Sequence, residues 1–127
     1  MTAPSTDLPI LIVEDDQATQ NLLRAVLRRS GYASEVASNG REAITLLQAK
    51  RYLAVILDMM MPEVGGQEVV AFLGRTEDPV PVIICSAAGK AALTGFDPKV
   101  VKAIIRKPFD IEQFVAAITS VTENPAS

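Results

Sequence analysis

The sequence predicts an α/β protein built on a five-stranded parallel sheet with helices on both faces. Five short runs of strand length are continuously or mostly apolar, as in strands covered on both faces. Four longer stretches carry apolar residues at helical spacing. Because strands and helices alternate along the chain, they are expected to form β–α–β units, in which helices connect parallel strands.

The elements follow from apolar spacing and from the residues that interrupt it. Gly31 ends the first helical pattern, and the Asn39-Gly40 turn precedes the second. Asp110 is placed to cap the last helix. The predicted strands are residues 9–13, 33–38, 53–57, 81–85 and 103–106, and the predicted helices are residues 16–30, 41–51, 67–77 and 110–122.

The segment 87–102 departs from this alternation. Gly89, Gly95 and Pro98 interrupt any long helix there. Asp97-Pro98 could cap a one- or two-turn helix over residues 99–102. We therefore expect an irregular segment where a fourth helix would otherwise lie.

Length and composition indicate one globular domain. The chain has 127 residues, of which 49% are apolar and 21% are charged. We predict flexible tails at residues 1–8 and 123–127 around a domain spanning 9–122. The apolar runs are too short for a bilayer and the N-terminus lacks a signal-peptide pattern, so we expect a cytoplasmic protein without membrane contact.

The charge and the residue types present exclude several classes of function. A net charge of −3 argues against direct DNA binding, which favours a basic face. The chain has no histidine, the usual general base and zinc ligand. Its single cysteine, Cys85, rules out disulfide scaffolding and lies in an apolar run, as a core residue would.

Polar residues follow four of the five predicted strands. Glu14 and Asp15 follow the first, Asp58 the third, Ser86 the fourth and Lys107 the fifth. In sheets of this class, chemistry collects at the carboxyl ends of the strands. If the first and third strands are neighbours, three carboxylates converge there and require a nearby positive charge.

A divalent cation and Lys107 could supply that charge. Mg²⁺ suits the cluster because it prefers hard oxygen ligands and typically binds one or two carboxylates together with a phosphate. Asp58 could then act as a nucleophile and form an acyl phosphate. Lys107 would neutralise the phosphoryl oxygens, and Ser86 would donate a hydrogen bond to one of them.

Each of these residues also has an ordinary structural interpretation. Asp16 is better explained as a helix N-cap than as a ligand. Glu14 and Asp15 could simply close a strand and start a helix, and one serine or one lysine after a strand is weak evidence. The combination at successive strand ends is what favours a phosphoryl site over these separate explanations.

Four motifs resemble those of the receiver domain of bacterial two-component response regulators. The motifs ILIVEDD, ILDMMMPEVGG, VIICSA and IIRKPFD occur in the family's order and near its spacing, within a match over about residues 9–122. The resemblance implies a doubly wound, flavodoxin-like sheet of strand order 2-1-3-4-5. It also implies a stand-alone receiver similar to the chemotaxis regulator.

The resemblance assigns roles to the acidic residues. Asp58 matches the phosphoacceptor, and Glu14 and Asp15 match the acidic pair that holds Mg²⁺. The implied metal ligands are Glu14, Asp15, Asp58 and the backbone carbonyl of Met60. The phosphoryl group would come from a phosphohistidine on a sensor histidine kinase or a histidine phosphotransfer protein, which agrees with the absence of histidine here.

The resemblance also assigns the two groups that sense the phosphoryl group. Ser86 matches the hydroxyl that turns towards it, and Lys107 matches the lysine that pairs with it, with a cis peptide bond before Pro108. The sequence departs from the family in two places. Ile104 replaces the usual aromatic residue three positions before the lysine, and the segment 87–102 lacks the usual Gly-Ala pair.

The leading hypothesis is a receiver whose phosphorylation on Asp58 changes its binding to a downstream protein. It would take part in its own phosphorylation and slow autodephosphorylation without being an enzyme in the usual sense. One alternative is a pseudo-receiver that binds partners constitutively, which Ile104 favours. A third hypothesis, an aspartyl phosphatase, is weakened because Met60 stands where a second acid would be needed.

Overall fold

The five strands form one parallel sheet. A computed structural model describes residues 8–61, 65–87 and 93–122. Its strands are β1 (Ile10–Val13), β2 (Ser34–Ala37), β3 (Ala54–Leu57), β4 (Val82–Ser86) and β5 (Val101–Arg106). They pair in parallel in the order β2-β1-β3-β4-β5, which confirms the predicted strand order.

Four α-helices are present in the described part of the chain, and side chains cap three of them. The helices are α1 (Gln17–Arg29), α2 (Gly40–Ala49), α3 (Gly66–Gly74) and α4 (Ile111–Thr122). Asp16 accepts a hydrogen bond from the Thr19 N–H at 2.9 Å, which confirms its interpretation as an N-cap. Asn39 accepts one from the Glu42 N–H at 2.9 Å at the start of α2. Asp110, predicted to cap the last helix, accepts a hydrogen bond from the Glu112 N–H at 2.9 Å.

The inner strands β1, β3 and β4 are buried on both faces, as predicted, whereas the edge strands β2 and β5 are partly exposed. Alternate strand residues, among them Leu11 and Ile84, face a core formed with α2 and α3. The intervening ones, among them Ile12 and Cys85, face a core formed with α1 and α4. Because strand side chains alternate between faces, continuous apolar runs supply both cores at once.

The prediction of an irregular segment over residues 87–102 is tested only in part, because residues 88–92 lie outside the described part of the chain, and the described residues 93–100 form no α-helix. The short helix expected over residues 99–102 is wrong. The Asp97 carbonyl accepts hydrogen bonds from the N–H groups of Val100 and Val101 at 2.9 and 3.0 Å, which closes a turn instead. The Val100 carbonyl then accepts from the Val82 N–H at 2.9 Å, so sheet pairing begins before the predicted start at residue 103.

Across the described residues, no helix is long and apolar enough to cross a bilayer. The predicted tails fall largely on residues 1–7 and 123–127, which are not described. The domain bounds therefore stay predictions.

Candidate functional site

Three carboxylates meet where the adjacent strands β1 and β3 end. Glu14 follows β1 and Asp58 follows β3, and the Asp58 N–H donates to the Val13 carbonyl at 3.0 Å, which continues the pairing of these strands. One oxygen each of Glu14, Asp15 and Asp58 lies within 4.8 Å of the other two. Glu14 and Asp58 are only 2% and 6% exposed, whereas Asp15 faces solvent. The predicted carboxylate cluster is thus present.

Lys107 reaches into this cluster from the end of β5. Its Nζ donates a hydrogen bond to Glu14 Oε1 at 2.8 Å and lies 4.0 Å from Asp58 Oδ2. The Lys107 N–H donates to the Ser86 carbonyl at 3.0 Å, so pairing between β4 and β5 holds the lysine in place. The peptide bond between Lys107 and Pro108 is cis, as the resemblance implied.

Burial and charge act in opposite directions on this ion pair. Burial raises the pKa of Glu14, and the hydrogen bonds from Lys107 and from the Asp16 N–H offset this only in part. Burial also acts to lower the pKa of Lys107, but the hydrogen bond to Glu14 and the charge of Asp58 outweigh it, and the pKa is raised. Lys107 is therefore held as a cation beside carboxylates whose charge is incompletely balanced.

Two backbone and side-chain groups complete the surroundings of Asp58. Ser86, the last residue of β4, is fully buried at the same edge of the sheet. The Met60 N–H donates to Asp58 Oδ1 at 3.1 Å, while the Met60 side chain is 58% exposed. The metal-ligand role of the Met60 carbonyl stays a prediction.

Sequence reasoning missed two residues that shape the site. Gln20 Nε2, on α1, donates to the Glu14 carbonyl at 2.6 Å. At Gly66, the first residue of α3, a Cβ would lie 2.6 Å from Met59 Sδ and 2.8 Å from the Asp58 carbonyl oxygen. The glycine therefore lets α3 begin directly against the Asp58 backbone. The only sequence signal was its position between the acidic motif and a helix.

Ile104 lies near the site but not in it. It belongs to β5, three residues before Lys107, and its side chain is 42% exposed. It pairs in register with Ile84 of β4, whose side chain is fully buried. Ile104 is more exposed than Ile84 because, among the described residues, no α-helix covers this part of β5.

Comparison with known families finds one family model that spans most of the chain. The model of the response regulator receiver domain matches residues 10–119. A curated relative, the response regulator MprA of Mycolicibacterium vanbaalenii, is 36% identical over 114 residues that cover 88% of this chain and 49% of the relative. The chain spans about half the length of the curated relatives it matches.

Solved structures show the same fold. The response regulator TrrA of Thermotoga maritima, solved in complex with Mg²⁺-BeF, is similar with a TM-score of 0.81 and 24% identity over 90% of this chain and 98% of that one. The signal receiver domain of a histidine kinase from Syntrophus aciditrophicus has a TM-score of 0.82 and 26% identity over 94% and 92% of the two chains.

Proposed function

The chain belongs to the response regulator receiver domain family, and from that premise we propose that it is switched by phosphorylation of Asp58. The observation that carries the proposal is the position of the Asp58 carboxylate, with oxygens of Glu14 and Asp15 within 4.8 Å and the Lys107 ammonium at 4.0 Å. This arrangement brings a carboxylate nucleophile and positive charge together at one edge of the sheet.

The proposed reaction is transfer from a phosphohistidine of a sensor kinase or a phosphotransfer protein. A carboxylate oxygen of Asp58 attacks phosphorus, the P–N bond breaks, and its electron pair returns to the imidazole nitrogen. The product is an acyl phosphate on Asp58, with Lys107 Nζ placed to balance the added charge of the phosphoryl oxygens. We infer that the chain also loses this group slowly to water and does not turn over substrates as an enzyme.

The residues present fit Mg²⁺. The donors are carboxylate oxygens without nitrogen or sulfur, which suits a hard cation. Burial raises the pKa of Glu14, so the ionised cluster has a need for positive charge that Lys107 meets only in part. Glu14, Asp15 and Asp58 would hold the ion, with the Met60 carbonyl as a further ligand. When bound, it would supply charge neutralisation for phosphoryl transfer.

The proposed response runs through β4 and β5. Ser86 is the last residue of β4, and Lys107 directly follows β5. The Lys107 N–H donates a hydrogen bond to the Ser86 carbonyl. A phosphoryl group on Asp58 would attract both side chains and change the position of this strand pair. Because Ile104 cannot make the movement of an aromatic ring, we propose that the change is read from β4 and β5 themselves by a downstream protein.

The first experiment measures intact mass after incubation with Mg²⁺ and acetyl phosphate. We expect one added phosphoryl group on the wild-type chain, none on Asp58→Asn, and an unchanged yield on Asp78→Asn, whose exposed carboxylate follows α3. Failure of every phosphodonor to modify the wild type would sink the proposal in favour of a constitutive binding module. Continuous hydrolysis of the donor would favour a phosphatase.

The second experiment tests the response. In Lys107→Ala, we expect phosphorylation to persist while the phosphorylation-dependent shifts of the Ser86 and Arg106 amide resonances are lost. Equal shifts in the variant and the wild type would refute the role of Lys107. The prediction that this domain does not bind DNA is checked by an electrophoretic mobility assay with phosphorylated and unphosphorylated chain.

A further inference from the structure

A cationic groove lies between α1 and β2, away from the carboxylate cluster. It has a volume of about 370 Å³ and is lined by residues of α1, of the following turn and of the start of β2. Arg24 and Arg28 are its only charged lining residues. The chain as a whole has a net charge of −3, whereas this groove is lined by two arginines and by no carboxylate. Its charge is therefore opposite in sign to that of the whole chain.

Neither guanidinium has an ion-pair partner within the described ranges. The three ion pairs found there involve only Lys50 and Lys107 as cations. The nearest acid in β2, Glu35, is bound by Lys50 and Tyr52. Tyr52 belongs to the core formed with α2 and α3, on the opposite face of the sheet from α1.

The groove lies at the start of β2, which is an edge strand of the sheet. β2 is the last strand in the order and pairs only with β1 in the described structure. The carbonyls of Ala33 and Ala37 accept hydrogen bonds from the Ile10 and Glu14 N–H groups at 2.9 and 3.0 Å. Because alternate residues of a strand direct their backbone groups to opposite sides, Ser34 and Val36 present theirs to the outer edge.

We propose that this edge is a docking site for an extended acidic segment of a partner protein. The segment would add a strand to β2, with backbone hydrogen bonds to Ser34 and Val36, and would pair its carboxylates with Arg24 and Arg28. Such a surface is separate from the carboxylate cluster and does not depend on the state of Asp58.

The spacing of the two arginines supports an extended occupant. Residues four apart in a helix are separated by about 6 Å along its axis, since the rise is about 1.5 Å per residue. Alternate residues of a strand, which share a face, are about 6.6 Å apart. Two carboxylates at alternate positions can therefore meet Arg24 and Arg28 together, and Arg-carboxylate pairs favour a defined, bidentate geometry.

A blocked, fluorescently labelled peptide in which glutamate alternates with valine is a suitable probe. Its affinity for the full chain is measured by anisotropy in low salt, and its position by amide resonance shifts. The comparison is between R24E/R28E and R29E/R41E. Both pairs change the net charge equally, but Arg29 and Arg41 are exposed and do not line the groove. Thermal unfolding of both variants checks that each is folded.

We expect R24E/R28E to weaken peptide binding at least about tenfold, because it removes two arginine–carboxylate pairs and places two glutamates that repel the peptide. We expect R29E/R41E to weaken peptide binding less than about threefold. The Ser34 and Val36 amides should shift on binding, and a peptide with the same glutamates placed consecutively should bind more weakly. Equal weakening by both variants, or binding without shifts at Ser34 and Val36, would overturn the proposal. So would concentration-dependent dimerisation through β2 in place of peptide binding.

Discussion

Two Lys–Glu ion pairs in contrasting surroundings are found among the residues that the structure describes. Lys107 and Glu14 join the end of β5 to the end of β1, with side chains 21% and 3% exposed. Lys50 and Glu35 join the end of α2 to β2, with side chains 46% and 34% exposed. Each glutamate also accepts a second hydrogen bond, Glu14 from the Asp16 N–H and Glu35 from the Tyr52 hydroxyl.

The pKa values of the two glutamates are nevertheless shifted in opposite directions. Burial raises the pKa of Glu14 despite its lysine. At Glu35, the hydrogen bonds from Lys50 and Tyr52 outweigh a small effect of burial, and the pKa is lowered. A lysine partner therefore does not determine how a carboxylate titrates, because desolvation competes with it and prevails at the more buried site.

This difference separates an exposed ion pair from one that lies within a carboxylate cluster. The Glu35 pair is already balanced and fastens α2 to β2. The Glu14 pair adjoins Asp58 and Asp15, so further positive charge is favourable there. Substituting the lysine of each pair, or adding Mg²⁺, tests this distinction.

The largest expected effect is from Lys107→Ala. It leaves Glu14 and Asp58 buried without their cation, so we expect a loss of about 3 kcal/mol in the free energy of unfolding. Lys50→Ala should cost less than about 1 kcal/mol, because its pair is exposed. Urea unfolding at pH 7 with a chelator measures both. Equal losses would show that the two pairs do not differ as described.

Mg²⁺ should stabilise the chain by a comparable amount. An ion present at 100 times its dissociation constant adds about 2.7 kcal/mol to the free energy of unfolding. Asp15→Asn should reduce this gain, since it removes an exposed member of the cluster, and Glu35→Gln should not. Unfolding with Mg²⁺ and with a chelator provides the measurement. An identical gain in Asp15→Asn would exclude Asp15 as a ligand.

The smallest effects are those of neutralising each glutamate in the absence of Mg²⁺. Because the pKa of Glu35 is lowered on folding, its stabilisation is present above the unfolded pKa of about 4.3 and is lost as pH falls through the folded pKa. Glu35→Gln should therefore lose up to about 1 kcal/mol at pH 7 and little at low pH.

For Glu14 the sign is reversed. Its folded pKa is raised, so its favourable contribution is fully present below the unfolded pKa and is lost as pH rises through the folded pKa. Glu14→Gln should therefore gain stability relative to the wild type as pH rises towards 7. Urea unfolding across pH checks both variants, and a shift of the same sign for both would contradict the comparison.

The sequence was most informative where the pattern of apolar and polar residues along the chain directly indicated which residues are buried. Continuous apolar runs predicted strands buried on both faces, and the polar residues after them predicted which side chains would share an edge. The start of β5 was predicted two residues too late, because its first hydrogen bond, from the Val82 N–H to the Val100 carbonyl, joins distant parts of the chain. The helix expected over 99–102 was wrong for the same reason.

The site shows the same division. The carboxylate cluster and Lys107 were predicted, since strand ends in a parallel sheet meet at one edge. The close approach of Gly66 to the Asp58 backbone was not, because it depends on where α3 begins in space. The groove at Arg24 and Arg28 could not be predicted either, since the spacing of basic residues along a helix does not show which acidic residues will lie near them.

The sequence by itself determined the fold class, the strand order through its family motifs, and the residue types placed at the carboxyl edge of the sheet. Tertiary structure alone decided which carboxylate receives Lys107, how far burial outweighs that charge at Glu14, and which arginines line a groove. The physical reason is that spacing along a chain specifies local periodicity, whereas desolvation and ion pairing depend on distances between residues as far apart as Glu14 and Lys107.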